Sequence, residues 1–190
     1  LYFHNRDNIA CEVRELLKAP LRNALANGER VLLIGHSMGS IIAYDSLWEL
    51  THVEGVEGRV DLFLSLGSPL GMNFTQIHLL GFRQNHAQRF PGCLRRWVNI
   101  AAQGDLTALD PEVADDFSEM VRRGLIESIT DEQVVLRNYA GEIYVYPQVR
   151  PKPKRKPRPA IAPCDRRCST ARSPPMADPA SSREPSIRSW

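Results

Sequence analysis

The spacing of apolar and polar residues along the chain predicts an α/β fold. Over residues 5–26 the apolar side chains lie three and four residues apart, which predicts an amphipathic helix that ends at Asn27 and Gly28. A second helix is predicted over residues 38–50. Three short apolar runs predict buried strands, and they lie at residues 30–35, 60–66 and 96–102. Because a helix separates the first two strands, these must be parallel, and the pattern predicts a mostly parallel sheet with helices on both faces.

The first predicted helix has an apolar stripe that should pack against the rest of the domain. Its members are Ile9, Val13, Leu16, Leu17, Leu21 and Leu25. Either Asn5 or Asp7 can cap the start of this helix, because a short polar side chain there accepts a free backbone N–H. Pro20 lies inside the pattern and should kink or split the helix.

The pattern after the third strand is weaker. Residues 115–123 predict a short amphipathic helix that ends at Gly124. Further extended segments are predicted at residues 125–129, 133–139 and 143–146. Thr130 and Asp131 should form a turn between the first two of these segments. The predicted domain therefore spans residues 1–146.

A G-x-S-x-G pentapeptide, Gly35-His36-Ser37-Met38-Gly39, lies between the first strand and the second helix. A serine on a sharp strand-to-helix turn lifts its hydroxyl clear of the sheet, where a base and a substrate can both reach it. Both flanking glycines are predicted to be steric requirements, because a Cβ at either position would crowd the neighbouring strand and helix. The setting favours a nucleophilic serine over a glycine-rich turn without chemistry.

This stretch resembles the α/β-hydrolase family, and more narrowly its lipase- and esterase-like members. The turn Gly67-Ser68-Pro69, which follows the second strand, is similar to a turn found after the strand beyond the nucleophile in many of these enzymes. Ser68 precedes a proline and has no G-x-S-x-G setting, so it is not expected to be the nucleophile. The resemblance covers residues 5–146, the middle and back of the fold, and the chain is expected to be a fragment with an aberrant C-terminus.

The resemblance implies a serine hydrolase that acts on lipid or small acyl esters through an acyl-enzyme. Ser37 would be the nucleophile, and the backbone N–H of Met38 would belong to the oxyanion hole. Asp105 follows the third strand and would be the acid that orients a histidine. Asp110 is the alternative acid, although it could instead cap the helix that follows it. No metal or organic cofactor is implied.

The triad histidine is expected after the acid, and the sequence has none there. All five histidines precede Asp105: His4, His36, His52, His78 and His86. His36 is expected to pack against the sheet, whereas His78 or His86 could fold over Ser37 if residues 72–93 form a lid, as this region often does in the family. A second function class stays open, namely a catalytically inactive hydrolase-like fragment or binding module that lacks the triad histidine.

Charge divides the chain into two parts. Residues 1–149 hold 13 Lys and Arg against 19 Asp and Glu, a net charge of −6, whereas residues 150–190 hold 11 against 3, a net charge of +8. Residues 151–190 hold nine prolines and almost no large apolar residues, which predicts that 147–190 is a disordered basic tail. We interpret it as a segment that is read in a shifted coding frame or comes from a degraded gene. The alternative is a functional basic tail that binds phosphates or an anionic membrane, and nucleic acid is disfavoured because no aromatic residue lies among the clustered cations.

The cysteines indicate a compartment rather than a site. Cys11, Cys93, Cys164 and Cys168 form no C-x-x-C pair, which favours free thiols in a reducing compartment such as the cytoplasm. A metal clip at Cys164 and Cys168 is the weaker alternative. No apolar run reaches the roughly 18 residues that a membrane-spanning helix needs, so no transmembrane segment is predicted.

Overall fold

Four parallel strands form the sheet at the centre of the fold. The structure is a computed structural model, and it describes residues 2–105, 108 and 110–135. The strands are β1 (Leu32–His36), β2 (Val60–Leu66), β3 (Leu94–Ala102) and β4 (Ser128–Val134), and they lie in the sheet in that order. The helices are α1 (Ile9–Ala26), α2 (Met38–His52), α3 (Asn73–Gln76), α4 (Val113–Asp116) and α5 (Ser118–Arg122). The predicted α/β class is confirmed, whereas the predicted tail and the β-prone piece at 143–146 lie outside the described residues.

Aromatic side chains fill the space between the sheet and the helices on one face. The ring of Trp97 in β3 lies 5.3 Å from that of Phe63 in β2 and 5.0 Å from that of Phe117, between centroids. Tyr44 of α2 lies 6.1 Å from Trp97 and 5.4 Å from Phe117. Rings at these separations attract one another beyond the gain from burial alone. Trp97 is therefore the centre of the core.

The opposite face of the sheet lacks such cover in the described part of the chain. Strands β1, β2 and β3 carry apolar side chains on this face, and none of the following is buried: Leu32, Ile34, Leu62, Leu64, Leu66, Val98 and Ile100. Leu32 and Ile34 on the edge strand β1 are 56% and 55% exposed. Helices are predicted on both faces of the sheet. Among the described residues, the helices that contribute to the core pack on one face only, the one that carries Phe63 and Trp97.

Strand β4 runs straight through Thr130 and Asp131, so the turn predicted at these residues is wrong, and one strand overlaps both of the extended segments predicted around it. The Asp131 carboxylate accepts the N–H groups of Val113 at 3.0 Å and Ala114 at 2.8 Å, which begin α4. A polar residue that suggests a turn is here a cap supplied from a neighbouring strand. The single helix predicted over 115–123 is split at Phe117 into α4 and α5.

Helix α1 packs on α2 through a face that is partly charged. Its buried residues are Ala10, Cys11, Arg14, Lys18, Leu21 and Leu25. Arg14 and Lys18 pair with Glu49 of α2 at 2.8 and 2.9 Å. Because these cations meet a carboxylate, they lie inside where an apolar stripe is predicted, and Leu16 is left 75% exposed. The predicted stripe is right for Leu21 and wrong for Leu16.

The ends of α1 follow the predicted signals more closely than its middle. The Asn5 side-chain oxygen accepts the N–H of Ala10 at 3.0 Å, in the first turn of the helix. Asn27 is the C-cap of the helix, and Gly28 follows it at a φ of 68°, which a glycine adopts without strain. The helix continues past Pro20 to Ala26, so the predicted split does not occur.

Two leucines of α1 provide a direct test of which face is buried. We expect Leu21→Ala to lower the free energy of unfolding by about 2–4 kcal/mol, because Leu21 is only 6% exposed. Leu16→Ala should change it by less than about 0.5 kcal/mol, since that side chain lies in solvent. Urea unfolding followed by circular dichroism measures both values. Equal losses in the two variants would contradict the observed orientation of the helix.

Candidate functional site

Ser37 lies in the turn between the last residue of β1 and the first residue of α2. Its backbone has a φ of 51° and a ψ of −125°, a conformation that residues other than glycine rarely adopt. Such a conformation costs about 1–3 kcal/mol and persists only where the surroundings hold it. The Ser37 N–H donates to the carbonyl of Leu66 at 2.9 Å, which fixes this strained turn to the end of β2.

The two glycines of the pentapeptide have different roles. A Cβ on Gly35 would lie 2.7 Å from Cα and 2.9 Å from N of Ser40, distances that real Cβ atoms do not show. Gly35 is therefore required by the close approach of α2 to β1, as predicted. A Cβ on Gly39 would meet no atom within 4 Å outside its own helix, so the predicted steric requirement at Gly39 is wrong.

Two buried serines lie behind Ser37. The Ser40 hydroxyl donates to the carbonyl of Ser37 at 2.6 Å, and its oxygen lies 2.7 Å from the Ser68 hydroxyl oxygen. The Ser68 oxygen also accepts the N–H of Leu70 at 3.2 Å. Ser68 is only 1% exposed. Its hydroxyl is thus engaged inside the protein, in keeping with the prediction that it is not the nucleophile.

The two carboxylates predicted as the acid lie in different settings. Asp105 follows the end of β3 and is half-buried. Its backbone N–H donates to the Ala102 carbonyl at 3.1 Å. Asp110 is exposed, and its carboxylate accepts the N–H of Glu112 at 3.3 Å, just before α4. Asp110 thus stabilises its own turn, and the helix cap predicted as its other role is wrong, because the N–H groups that begin α4 donate to Asp131. Asp105 lies at the edge of the sheet that also carries Ser37, because parallel strands end at the same edge.

A buried polar network crosses three strands below this edge. The Ser65 hydroxyl accepts from the Trp97 ring N–H at 2.9 Å and donates to Asn99 Oδ1 at 2.8 Å. The Asn99 amide donates to Asp131 at 3.0 Å and to the Pro111 carbonyl at 2.8 Å. The network therefore holds Pro111 and the start of α4 against the sheet. No site role was predicted for these residues, although a polar residue within an apolar strand, such as Ser65 or Asn99, is a signal that could have identified them.

Three of the histidines have hydrogen-bond partners away from the turn at Ser37. His52 Nε2 donates to the Phe90 carbonyl, and His78 Nδ1 donates to the Phe74 carbonyl, both at 2.7 Å. His86 Nδ1 accepts from Arg123 at 3.2 Å. The structure thus gives His78 and His86 partners other than Ser37. His36 is exposed at the end of β1, so it is not buried against the sheet as predicted.

Asp45 of α2 is a buried carboxylate that the sequence analysis did not identify. It accepts the Tyr2 hydroxyl at 2.8 Å and the Leu80 N–H at 2.9 Å, and it is 2% exposed. Burial raises the pKa of the Asp45 carboxyl to about 6, against the opposing effect of these hydrogen bonds. Burial likewise raises the pKa of the Tyr2 hydroxyl, helped by the Asp45 charge. These contacts join residues 2 and 80 to α2.

Two features are absent from the described residues. No helix among them is long and apolar enough to cross a membrane. They contain no group of three or more His, Cys, Asp or Glu side chains placed to bind a metal ion. Burial raises the pKa of the Cys93 thiol, which donates to the Leu47 carbonyl at 3.3 Å.

Comparison with known proteins gives one match. The family model described as lecithin:cholesterol acyltransferase matches residues 15–95, less than half of the chain. The matched range contains Ser37 and the turn at Ser68, and it ends before Asp105. No curated protein matches the chain, and no solved structure does. The match and the four-stranded parallel sheet fit a partial α/β-hydrolase.

Proposed function

We propose that this chain carries the nucleophilic centre of a serine acyl-transfer enzyme that acts on lipid esters, with Ser37 as the nucleophile. The observation that carries the proposal is the backbone of Ser37, which is held at a positive φ between β1 and α2. A serine in this conformation presents its hydroxyl above the carboxyl edge of the sheet. A strained residue of this kind is a candidate functional position on physical grounds.

The proposed reaction has two steps. The Ser37 oxygen attacks the ester carbonyl while its proton passes to a base, and the alcohol leaves with that proton. Water or a second alcohol then attacks the acyl group bonded to Ser37, and its proton passes through the base to the Ser37 oxygen as the acyl–serine bond breaks. Neither step changes an oxidation state.

The start of α2 supports the developing negative charge. The first N–H groups of any helix have no partner within it, and the N-terminus carries a partial positive charge. Met38 is the first residue of α2, a helix of 15 residues. We therefore assign the Met38 N–H to the oxyanion hole. Losing one such donor costs about 100- to 1,000-fold in rate in well-studied serine enzymes.

The position of Asp105 leaves room for a base between the acid and the nucleophile. Strand β2 separates β1 from β3, and neighbouring strands lie about 4.8 Å apart, so Ser37 and Asp105 follow strands about 10 Å apart. An imidazole with a hydrogen bond of about 2.8 Å on each side fits such a gap. Asp105 is thus our proposed acid, in preference to Asp110, which contacts its own turn.

None of the five histidines is assigned as the base. Three of them have the contacts described above, and residues 106–190 contain no histidine. A correctly placed base contributes about 100- to 10,000-fold to such reactions. We therefore propose that acyl transfer to Ser37 is slow in this chain and that imidazole added to the solution accelerates it.

The class of substrate follows from the family match. The matched range contains the strand, the turn and the helix that position Ser37. The name of that family, lecithin:cholesterol acyltransferase, describes acyl transfer between a phospholipid and a sterol. Its chemistry supports a lipid acyl ester as the substrate here.

Labelling with a fluorophosphonate probe tests the proposal. We expect slow labelling of the full chain at Ser37, located by mass spectrometry, and faster labelling when imidazole is added. Ser37→Ala should lose this labelling under both conditions. Ser46→Ala is the matched control, because Ser46 is a buried serine on α2, the helix that follows Ser37, and its hydroxyl has no partner among the described residues.

Two outcomes would contradict the proposal. Labelling that survives in Ser37→Ala would place the reactive group elsewhere. The absence of labelling in the presence of imidazole, in a protein shown to be folded by circular dichroism, would favour the inactive hydrolase-like alternative instead.

A further inference from the structure

The end of β2 and the turn that follows it hold both backbone polar groups of Ser37. The Ser37 N–H donates directly to the Leu66 carbonyl at 2.9 Å. The Ser37 carbonyl accepts both the Ser40 hydroxyl at 2.6 Å and the Ser40 N–H at 2.9 Å. The Ser40 hydroxyl oxygen in turn lies 2.7 Å from that of Ser68. The strained residue is therefore held at both ends by residues 66–68, once directly and once through Ser40.

The chemistry of the groups fixes the direction of every proton in this chain of hydrogen bonds. A carbonyl oxygen can only accept, so the single hydroxyl proton of Ser40 is used on Ser37. Ser68 must then donate to Ser40, and its oxygen remains free to accept the Leu70 N–H. The relay from Leu70 through Ser68 and Ser40 to Ser37 thus has one arrangement.

Burial makes this relay rigid. Ser40 is 0% exposed and Ser68 is 1% exposed, so bulk water does not replace a lost partner at either hydroxyl. Gly35 contacts the backbone of Ser40 closely, which prevents α2 from moving toward β1. The Ser40 oxygen can therefore keep its bond to the Ser37 carbonyl without a shift of the helix.

We propose that Ser68 is a positioning residue, which acts through Ser40 to hold Ser37 in its strained conformation. The proposal rests on the proposed function of Ser37 and assigns a role to the turn Gly67-Ser68-Pro69 within that function. Ser68 does not touch the reacting atoms. Its hydroxyl instead fixes the carbonyl of Ser37, and with it the direction in which the Ser37 hydroxyl points.

The rate of fluorophosphonate labelling is the first test. We expect Ser68→Ala to slow labelling of Ser37 by about 10- to 100-fold under conditions in which the protein stays folded, because a small displacement of a reacting group has effects of this size. Ser68→Thr keeps the hydroxyl and should return the rate to within about threefold of the unmodified chain. Ser46→Ala, which removes a buried hydroxyl outside the relay, should leave the rate unchanged.

Two results of this labelling test would overturn the proposal. One is labelling of Ser68→Ala at the unmodified rate. The other is an equal loss in Ser68→Ala and Ser68→Thr, since the hydroxyl would then not be the group that matters.

A stability cycle decides the question even if Ser37 proves unreactive. Ser37→Gly should lower the unfolding equilibrium constant by about fivefold or more, because glycine adopts a positive φ without strain. If the relay maintains that strain, the factor by which Ser37→Gly lowers this constant should be at least threefold smaller in a Ser68→Ala background. An equal factor in both backgrounds, within the error of urea titrations, would overturn the relay. Absent labelling alone would count only against the proposed function.

Discussion

Gly35→Ala is expected to lower the free energy of unfolding by about 3 kcal/mol, near the top of the range for overpacking. The added Cβ would lie 2.7 Å from Ser40 Cα and 3.1 Å from the Gly39 carbonyl carbon. Both of these are backbone atoms, so no flexible side chain can move aside to relieve the contact. The helix must separate from the strand, and this would release the turn that holds Ser37. Urea unfolding followed by circular dichroism measures the loss.

Gly39→Ala is the matched control for this prediction. A Cβ there meets nothing within 4 Å outside the helix, and alanine has a higher helix propensity than glycine. We therefore expect Gly39→Ala to leave stability unchanged or raise it by up to about 1 kcal/mol. A loss of several kcal/mol in Gly39→Ala, or none in Gly35→Ala, would contradict the assignment of the close approach to Gly35.

Asp45→Asn is expected to raise the free energy of unfolding at neutral pH by about 1–3 kcal/mol. The pKa of the Asp45 carboxyl is raised from 3.8 to about 6 by burial, so the folded protein binds a proton more readily than the unfolded chain. Stability contributed by the protonated form is therefore lost as pH rises from about 4 to about 6. An amide has no such cost, and it can accept from Leu80 while donating to the Tyr2 hydroxyl.

The pH dependence distinguishes this effect from an ordinary change in packing. The difference in unfolding free energy between Asp45→Asn and the unmodified chain should be largest above about pH 6 and should shrink toward pH 4. Glu57→Gln removes a charge from an exposed side chain and serves as the control. Parallel stability curves for Asp45→Asn and the unmodified chain across this range would contradict the prediction.

The parts of the fold that the sequence predicts well depend on local patterns. Strand β2 lies at the predicted residues 60–66, and Gly28 and Gly124 end helices at positive φ, as predicted. A run of apolar residues or a helix-ending glycine acts through its immediate neighbours. The predicted strand-turn-helix around Ser37 belongs to this class, because the pentapeptide itself specifies the turn.

The errors arise where a distant residue supplies the partner. Arg14 and Lys18 are inside because Glu49, more than 30 residues away, neutralises them, and no pattern within α1 contains that information. Asp131 suggests a turn until the N–H groups of α4 are seen to bind it. The same holds for the site. The setting of Ser37 can be predicted from neighbouring residues, whereas the support from Ser68 depends on its contact with Ser40, 28 residues away.

The order of the strands has a consequence for how the sheet can assemble. Each strand lies beside the one that precedes it in the chain, and paired residues are separated by 30, 34 and 32 positions in turn. A nascent chain emerges from the ribosome N-terminus first, so β2, β3 and β4 each find the preceding strand already synthesised. Loops of such similar length also have nearly equal closure entropies. These three strands can therefore join the sheet in chain order during translation.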